Sequence, residues 1–132
     1  SAMSTDPAHR LPQKPTGPRR LLNSLGYSIK GLRYAVRREP AFQQQLMLFA
    51  AAYPAALWLT EDLVHFFVLM APLILAIVVE LLNTAIECLA DQIDREKQIL
   101  LGAAKDLGSA AVFICLLSAG VFWTYILAER FL

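Results

Sequence analysis

The chain has 132 residues, of which 57% are apolar and 17% charged, with a formal net charge of +1 and a mean hydropathy of +0.48. Soluble domains are usually close to half apolar, with charges spread over the surface; here the charges gather at the N-terminus, between Glu80 and Lys105, and at the C-terminus. That segregation argues against an ordinary water-soluble fold and makes a bilayer the solvent for most of the chain.

Ser1-Ala2-Met3 has the look of a protease scar and is set aside. Residues 1–18 carry Pro7, Pro12, Pro15, Pro18 and Gly17 with little to bury, which predicts a disordered tail. No cleavable signal peptide is expected, because the first apolar run follows this long polar stretch. Arg10, Lys14, Arg19, Arg20, Lys30, Arg33, Arg37 and Arg38 face only Asp6 before Glu39, a balance suited to the cytoplasm or to lipid headgroups. Within about 19–38, Leu21, Leu22, Leu25, Ile29, Leu32 and Val36 recur at helical spacing between those cations. The pattern predicts an amphipathic helix lying in the membrane interface.

Glu39-Pro40 should end that helix and start another, since proline disfavours the α region before it and suits a first helical turn. Three apolar segments follow and predict spans at about 40–59, 63–90 and 105–128. Only Thr60-Glu61-Asp62 separates the first two, which leaves room for a tight turn alone. Backbone polarity in lipid makes all three helical, because three strands cannot close a barrel. The expected architecture is an all-α membrane protein, a surface helix plus three transmembrane helices, forming one membrane-embedded domain over 19–132. The basic leader and the loop with Arg95, Lys97 and Lys105 place the N-terminus and the second loop inside, and the C-terminus outside. Cys88 and Cys115 each lie in an apolar helical pattern and read as two buried small hydrophobes.

The informative stretch runs from Glu80 to Asp94. Spacings of three, four and seven put Glu80, Asn83, Thr84, Glu87, Asp91 and Asp94 on one helical face, with Leu81, Leu82, Ala85, Ile86 and Leu89 opposite. Glu80 follows the apolar segment from Leu63 to Val79, about 25 Å of helix, so it sits near the inner boundary of the bilayer. An ionised carboxylate is costly there unless it meets a partner or water. One reading is a helix leaving the membrane with its polar face solvated; the other, which Asn83 and Thr84 between two glutamates favour, is a site.

A second cluster, Gly102 to Ala111, opens the third span with Lys105 and Asp106 at the membrane boundary. A snorkelling lysine beside a helix-capping aspartate is one account of it. The small residues Gly108, Ser109, Ala110 and Ala111 favour a packed site, since they let another helix approach closely. Phosphoryl transfer needs such groups: magnesium with ATP takes oxygen ligands, often one or two protein carboxylates, for which Glu39 and Glu87 are candidates. An attacking lipid alcohol needs a base within reach, and Glu80 is best placed; Lys105 is a candidate to neutralise the transferred group. Neither G-x-x-x-x-G-K-[ST] nor G-x-G-x-x-G occurs, which excludes a P-loop or protein-kinase architecture.

Four segments carry a resemblance: Gly26 to Leu32, Glu39 to Phe42, Val79 to Glu87 and Ala104 to Val112. In order and spacing they resemble the signature segments of the prokaryotic diacylglycerol kinases, from about Arg20 to the C-terminus. The blocks E-[IL]-L-N-[ST]-A-I-E and A-K-D-[ML]-G-S-A-A-V are the most specific. The resemblance implies a homotrimer whose active sites are shared between subunits, with Mg2+ as cofactor and ATP as donor. By the same resemblance Glu80 is the catalytic base and Asn83 a polar group of the active centre, while Glu39 and Glu87 bind the metal. Nucleotide contacts are implied for Arg20, Tyr27, Glu39, Glu87, Glu96, Lys97, Gln98, Lys105 and Asp106. Lipid contacts are implied for Arg20, for Ser24, Leu25, Gly26, Tyr27, Ser28 and Ile29, and for Arg33, Tyr34, Ala35 and Val36. They continue at Ala41, Phe42, Gln43, Gln44 and Gln45, at Glu80 and at Ser109. Gln45 stands where relatives often have an acidic residue, and Ala103 where a G-R-A-K-D pattern often has arginine.

The implied reaction is phosphorylation of 1,2-diacylglycerol to phosphatidic acid at the cytoplasmic face of the bacterial inner membrane, within phospholipid recycling. The partners are then the lipid, ATP and two further copies of the chain, with no nucleic acid. Undecaprenol is the alternative acceptor, used by a sister branch, although the Glu-Pro-Ala-Phe junction looks more like the diacylglycerol branch. From other classes, a non-catalytic assembly subunit or a small oligomeric transporter or channel would use the same glutamates differently. Against transport, the carboxylates cluster at one membrane face and not at the midplane.

Overall fold

A computed structural model describes residues 11–94 and 98–132. Four helices follow one another: α1 (Pro18–Arg38), α2 (Pro40–Leu59), α3 (Leu63–Ile93) and α4 (Ile99–Phe131). The chain divides into two compact units, Ser1–Tyr34 and Ala35–Leu132. The predicted tail is in part outside the described residues; its described portion, from Leu11, has no regular structure up to a turn at Gly17.

In the first unit Gly17 adopts φ +69°, a left-handed conformation that glycine reaches at little cost. Its carbonyl accepts from Arg20 N at 3.1 Å and begins α1, with Pro18 in the first helical position where its missing N–H is not needed. The Ser28 hydroxyl donates back to the Ser24 carbonyl at 2.9 Å, so this polar side chain is satisfied within the helix.

The second unit begins at Ala35 and contains the predicted break. Glu39 is extended (φ −111°, ψ 101°) and Pro40 takes the first turn of α2. Gln43 Nε2 donates to the Val36 carbonyl at 2.7 Å, tying the two sides of the junction together. α2 ends at Leu59 and α3 begins at Leu63, so the tight turn falls where the sequence places it. Asp62 closes that turn by capping α3: its Oδ1 accepts from His65 N at 2.8 Å and its Oδ2 lies 2.6 Å from His65 Nδ1. The backbone hydrogen bond from His65, followed by the bond to its ring, holds the Asp62 carboxyl below the usual carboxylate range. Such a group stabilises the fold at pH values above its unfolded-state pKa, and the contribution fades as pH falls through the lowered folded value. Asp62→Asn should therefore reduce the melting temperature at neutral pH and make little difference in strong acid, as thermal scans across pH would record.

α3 packs along α4 and, over a shorter stretch, along α2. The core is Ala52, Ala56, Leu69, Met70, Leu73, Ala119 and Ile126, with Phe49, Phe66 and Trp123 packed against it. The alanines bring the helix backbones close, which is how helices associate where lipid removes the hydrophobic driving force. Trp123 Nε1 donates to the Leu69 carbonyl at 2.9 Å and crosslinks α4 to α3. Outside this core, large apolar side chains such as Phe67, Leu75, Phe113 and Leu117 are more than half exposed. A surface so apolar is suited to lipid and not to water. α3 and α4 are long and apolar enough to cross a membrane, with mean hydropathies of 2.4 and 2.1 over their best stretches. α2 has the length but is less apolar, because Gln43, Gln44 and Gln45 fill its first turns.

Three expectations change. α4 starts at Ile99 and not near 105, because Ile99, Leu100 and Leu101 are helix formers with no breaker between them and the apolar segment. Asp106 consequently lies inside the helix and caps nothing; Gln98 holds the cap position. Cys115 is buried, but Cys88 is exposed on the outward side of α3.

Candidate active site

The polar stripe of α3 faces inward from Glu80 to Glu87, while Asp91 is exposed. Glu80, Asn83 and Thr84 are buried at 5%, 7% and 7% exposure, Glu87 is half-buried, and Leu82, Ala85, Ile86 and Leu89 are turned outward. This arrangement overturns the reading of a solvated polar face, since solvation would require the opposite orientation. The stripe instead forms one wall of a cleft of about 580 Å³. Glu39, Ala41, Gln44, Gln45 and Leu48 line it from the α2 end, Glu80, Asn83 and Glu87 from α3, and Ser109, Val112, Phe113 and Leu116 from α4.

Local sequence explains each contribution. The break before Pro40 leaves Glu39 at the mouth of the cleft, and one helical turn brings Gln44 and Gln45 round to the same side. Gln45 is 8% exposed, and its Nε2 donates to Glu80 Oε2 at 3.2 Å. This tether fixes a buried carboxylate by a neutral donor from another helix. Asn83 Nδ2 donates to Glu87 Oε1 at 3.4 Å, one turn along α3. The other oxygens of these two amides, Gln45 Oε1 and Asn83 Oδ1, are buried and have no partner within the protein.

The electrostatics are one-sided. Three carboxylates line the cleft, and none of its described lining residues is basic. The charges of Glu39 and Glu87 are close enough to act on Glu80, and clustered anions at a membrane boundary call for a counter-cation. Among the described residues no three acidic, histidine or cysteine side chains are placed to hold a metal together. The oxygen donor set, carboxylates and amide oxygens with the Ser109 hydroxyl, suits a hard divalent ion that takes one or two protein ligands and completes its shell with phosphate and water. Magnesium accompanying a nucleotide fits that description.

Some other predicted residues of the second unit are not among those that line the cleft. Lys105 Nζ pairs with Asp91 Oδ1 at 2.9 Å, with both side chains about half exposed, and neither it nor Asp106 lines the cleft. Gln98 stands at the N-cap position of α4 without a side-chain cap bond, and its Nε2 donates to Asp94 Oδ2 at 2.7 Å; Glu96 and Lys97 lie outside the described residues. Phe42, at 1% exposure, and Ala35, also at 1%, are packed inside the second unit, while Val36 is exposed and Gln43 serves the junction. Arg20, Ser24, Leu25, Gly26, Tyr27, Ser28, Ile29, Arg33 and Tyr34 belong to the first unit, on α1.

Some wall residues were not foreseen. Leu48 lies three residues beyond Gln45, and Val112 and Leu116 lie three and seven beyond Ser109, so extending the helical spacing from the polar positions would have found them. Leu48 and Leu116 also line a neighbouring apolar cleft of about 540 Å³ with Ala52, Leu73, Ala119 and Trp123. The polar pocket thus continues along the helices into an apolar groove.

Comparison with known proteins identifies the family. The family model for prokaryotic diacylglycerol kinases matches residues 26–127, which include every residue lining the cleft. The chain belongs to the prokaryotic diacylglycerol kinase family. It is accordingly an enzyme, a kinase. The diacylglycerol kinase of Escherichia coli K12 is 40% identical over 116 residues, 88% of this chain and 95% of that one. That of Haemophilus influenzae is 39% identical over 114 residues, covering 86% and 97%. The Pseudomonas aeruginosa diacylglycerol kinase is 41% identical over 112 residues, covering 85% and 91%.

Proposed function

We propose that this kinase transfers the γ-phosphoryl group of ATP to 1,2-diacylglycerol, giving phosphatidic acid at the cytoplasmic face of the inner membrane. The observation that carries the reading is the convergence of Glu39, Glu80 and Glu87, from two elements of the chain, on one cleft. The names of the similar proteins support diacylglycerol as the acceptor. In this reading α2 completes three spans, α1 lies on the headgroups, and three copies of the chain assemble.

Glu80, held by Gln45, accepts the proton of the lipid hydroxyl as its oxygen attacks the γ-phosphorus. The bond between that phosphorus and the bridging oxygen breaks, and ADP leaves. Glu39 and Glu87 hold the nucleotide through its Mg2+, which when bound offsets charge on the phosphates. Asn83 keeps Glu87 turned toward the cleft. The apolar groove beyond Leu48 and Leu116 takes an acyl chain, while the burial of Glu80 keeps water from competing with the lipid alcohol. Lys105, Asp106, Arg20 and Tyr27, with Glu96, Lys97 and Gln98, are assigned to the nucleotide.

Purified protein in mixed micelles, given labelled ATP and each lipid separately, tests the acceptor. Label is expected on diacylglycerol. Label on undecaprenol alone, or on neither lipid, would overturn the assignment of the acceptor.

A further inference from the structure

Beside the cleft, where α3 packs along α4, the place of one amide depends on a missing side chain. Gly108 is buried on α4, directly against Asn83. A Cβ built there would collide with Asn83 Oδ1 and stand 3.3 Å from Asn83 Cγ, but it would lie 3.8 Å from Asn83 Cα, an ordinary contact. Gly102 and Gly120, on the same helix, would meet nothing within 4 Å. The helix backbones therefore have room for an alanine at position 108; the amide of Asn83 does not. That amide is the group whose nitrogen donates to Glu87 Oε1, and its oxygen, lacking any partner, has no other bond to keep it in place.

We infer that Gly108 is a positioning residue for the nucleotide-bound cation, acting through Asn83 on Glu87. The bare Cα leaves a recess that the Asn83 amide fills, so that the amide nitrogen points along α3 to Glu87. Any side chain at 108 turns the amide, breaks its bond to Glu87 and lets that carboxylate swing. The inference rests on the proposed role of Glu87 in holding the cation. A partner behind a metal ligand typically changes metal affinity about 10- to 100-fold, and an effect near the lower end is expected here because the 3.4 Å bond is long.

The test is a double-mutant cycle on Gly108→Ala and Asn83→Ala, which isolates the coupling between two residues in contact. In the metal-free protein, Gly108→Ala should lower the melting temperature, and the drop should nearly vanish in the Asn83→Ala background. Equilibrium binding of Mg·ATP should weaken about tenfold for Gly108→Ala, to a similar degree for Asn83→Ala, and no further for the pair. Should Gly108→Ala alone fail to fold, recovery of folding in the double variant supports the contact and continued failure overturns it. Equal losses in both backgrounds would show that Gly108 acts only through helix spacing and would overturn the inference, as would unchanged Mg·ATP affinity in Gly108→Ala. If Glu87→Gln leaves Mg·ATP affinity intact, the role of Glu87 falls separately, while the melting cycle still decides whether Gly108 places Asn83.

Discussion

Glu80→Gln is expected to reduce turnover about 1,000-fold, within the range that general bases contribute, while leaving the fold unchanged. The substitution keeps size and shape, and the new amide oxygen still accepts from Gln45 Nε2, whose present bond to Glu80 is 3.2 Å. What disappears is the ability to take a proton from the lipid alcohol. Removing one negative charge from a cleft lined by three carboxylates relieves repulsion, so stability should hold or rise. A loss of about 1,000-fold corresponds to about 4 kcal/mol of transition-state stabilisation. It should appear in kcat, with the KM for ATP little altered, because the role proposed for Glu80 is on the acceptor and not on the nucleotide. Turnover in mixed micelles beside thermal denaturation separates these effects. Full activity in a folded variant would remove Glu80 as the base.

Glu87→Gln is the second large effect, and it should read out in the cation. A neutral amide replaces one of the two carboxylates proposed for Mg2+, so the Mg2+ concentration giving half-maximal rate should rise about tenfold or more, since hard cations depend on ligand charge. Saturating Mg2+ should restore much of the rate, unlike the loss in Glu80→Gln, which no concentration repairs. A Mg2+ titration identical to wild type would count against the ligand role. The two variants would thus divide the stripe into a carboxylate proposed to move a proton and one proposed to hold the nucleotide.

Much of this architecture was legible because it rests on local rules. Proline after Glu39 dictated the break between α1 and α2, and three polar residues between apolar segments dictated the turn before α3. The inward stripe followed from spacings of three, four and seven. Contacts distant in sequence were not legible. Nothing local pairs Gln45 with Glu80, thirty-five residues away, or Lys105 with Asp91 across a loop. Lys105 read as a snorkelling lysine beside Asp106 because its partner, Asp91, lies on another helix. The early start of α4 was missed because charges at 95–97 and at 105 suggested a loop between them, whereas Ile99, Leu100 and Leu101 already favour helix. Gly108 was visible only as one of several small residues; that its hydrogen makes room for a specific amide is a property of two packed helices.

The proposed mechanism requires that Glu39 and Glu87 hold one nucleotide-borne cation beside Glu80. An experimental structure of the protein with Mg2+ and a non-hydrolysable ATP analogue tests this most directly. The expected result is a metal ion bound by oxygens of Glu39 and Glu87 at about 2.1 Å, with the terminal phosphate facing Glu80. A nucleotide and metal bound away from the cleft, with these carboxylates untouched, would contradict it.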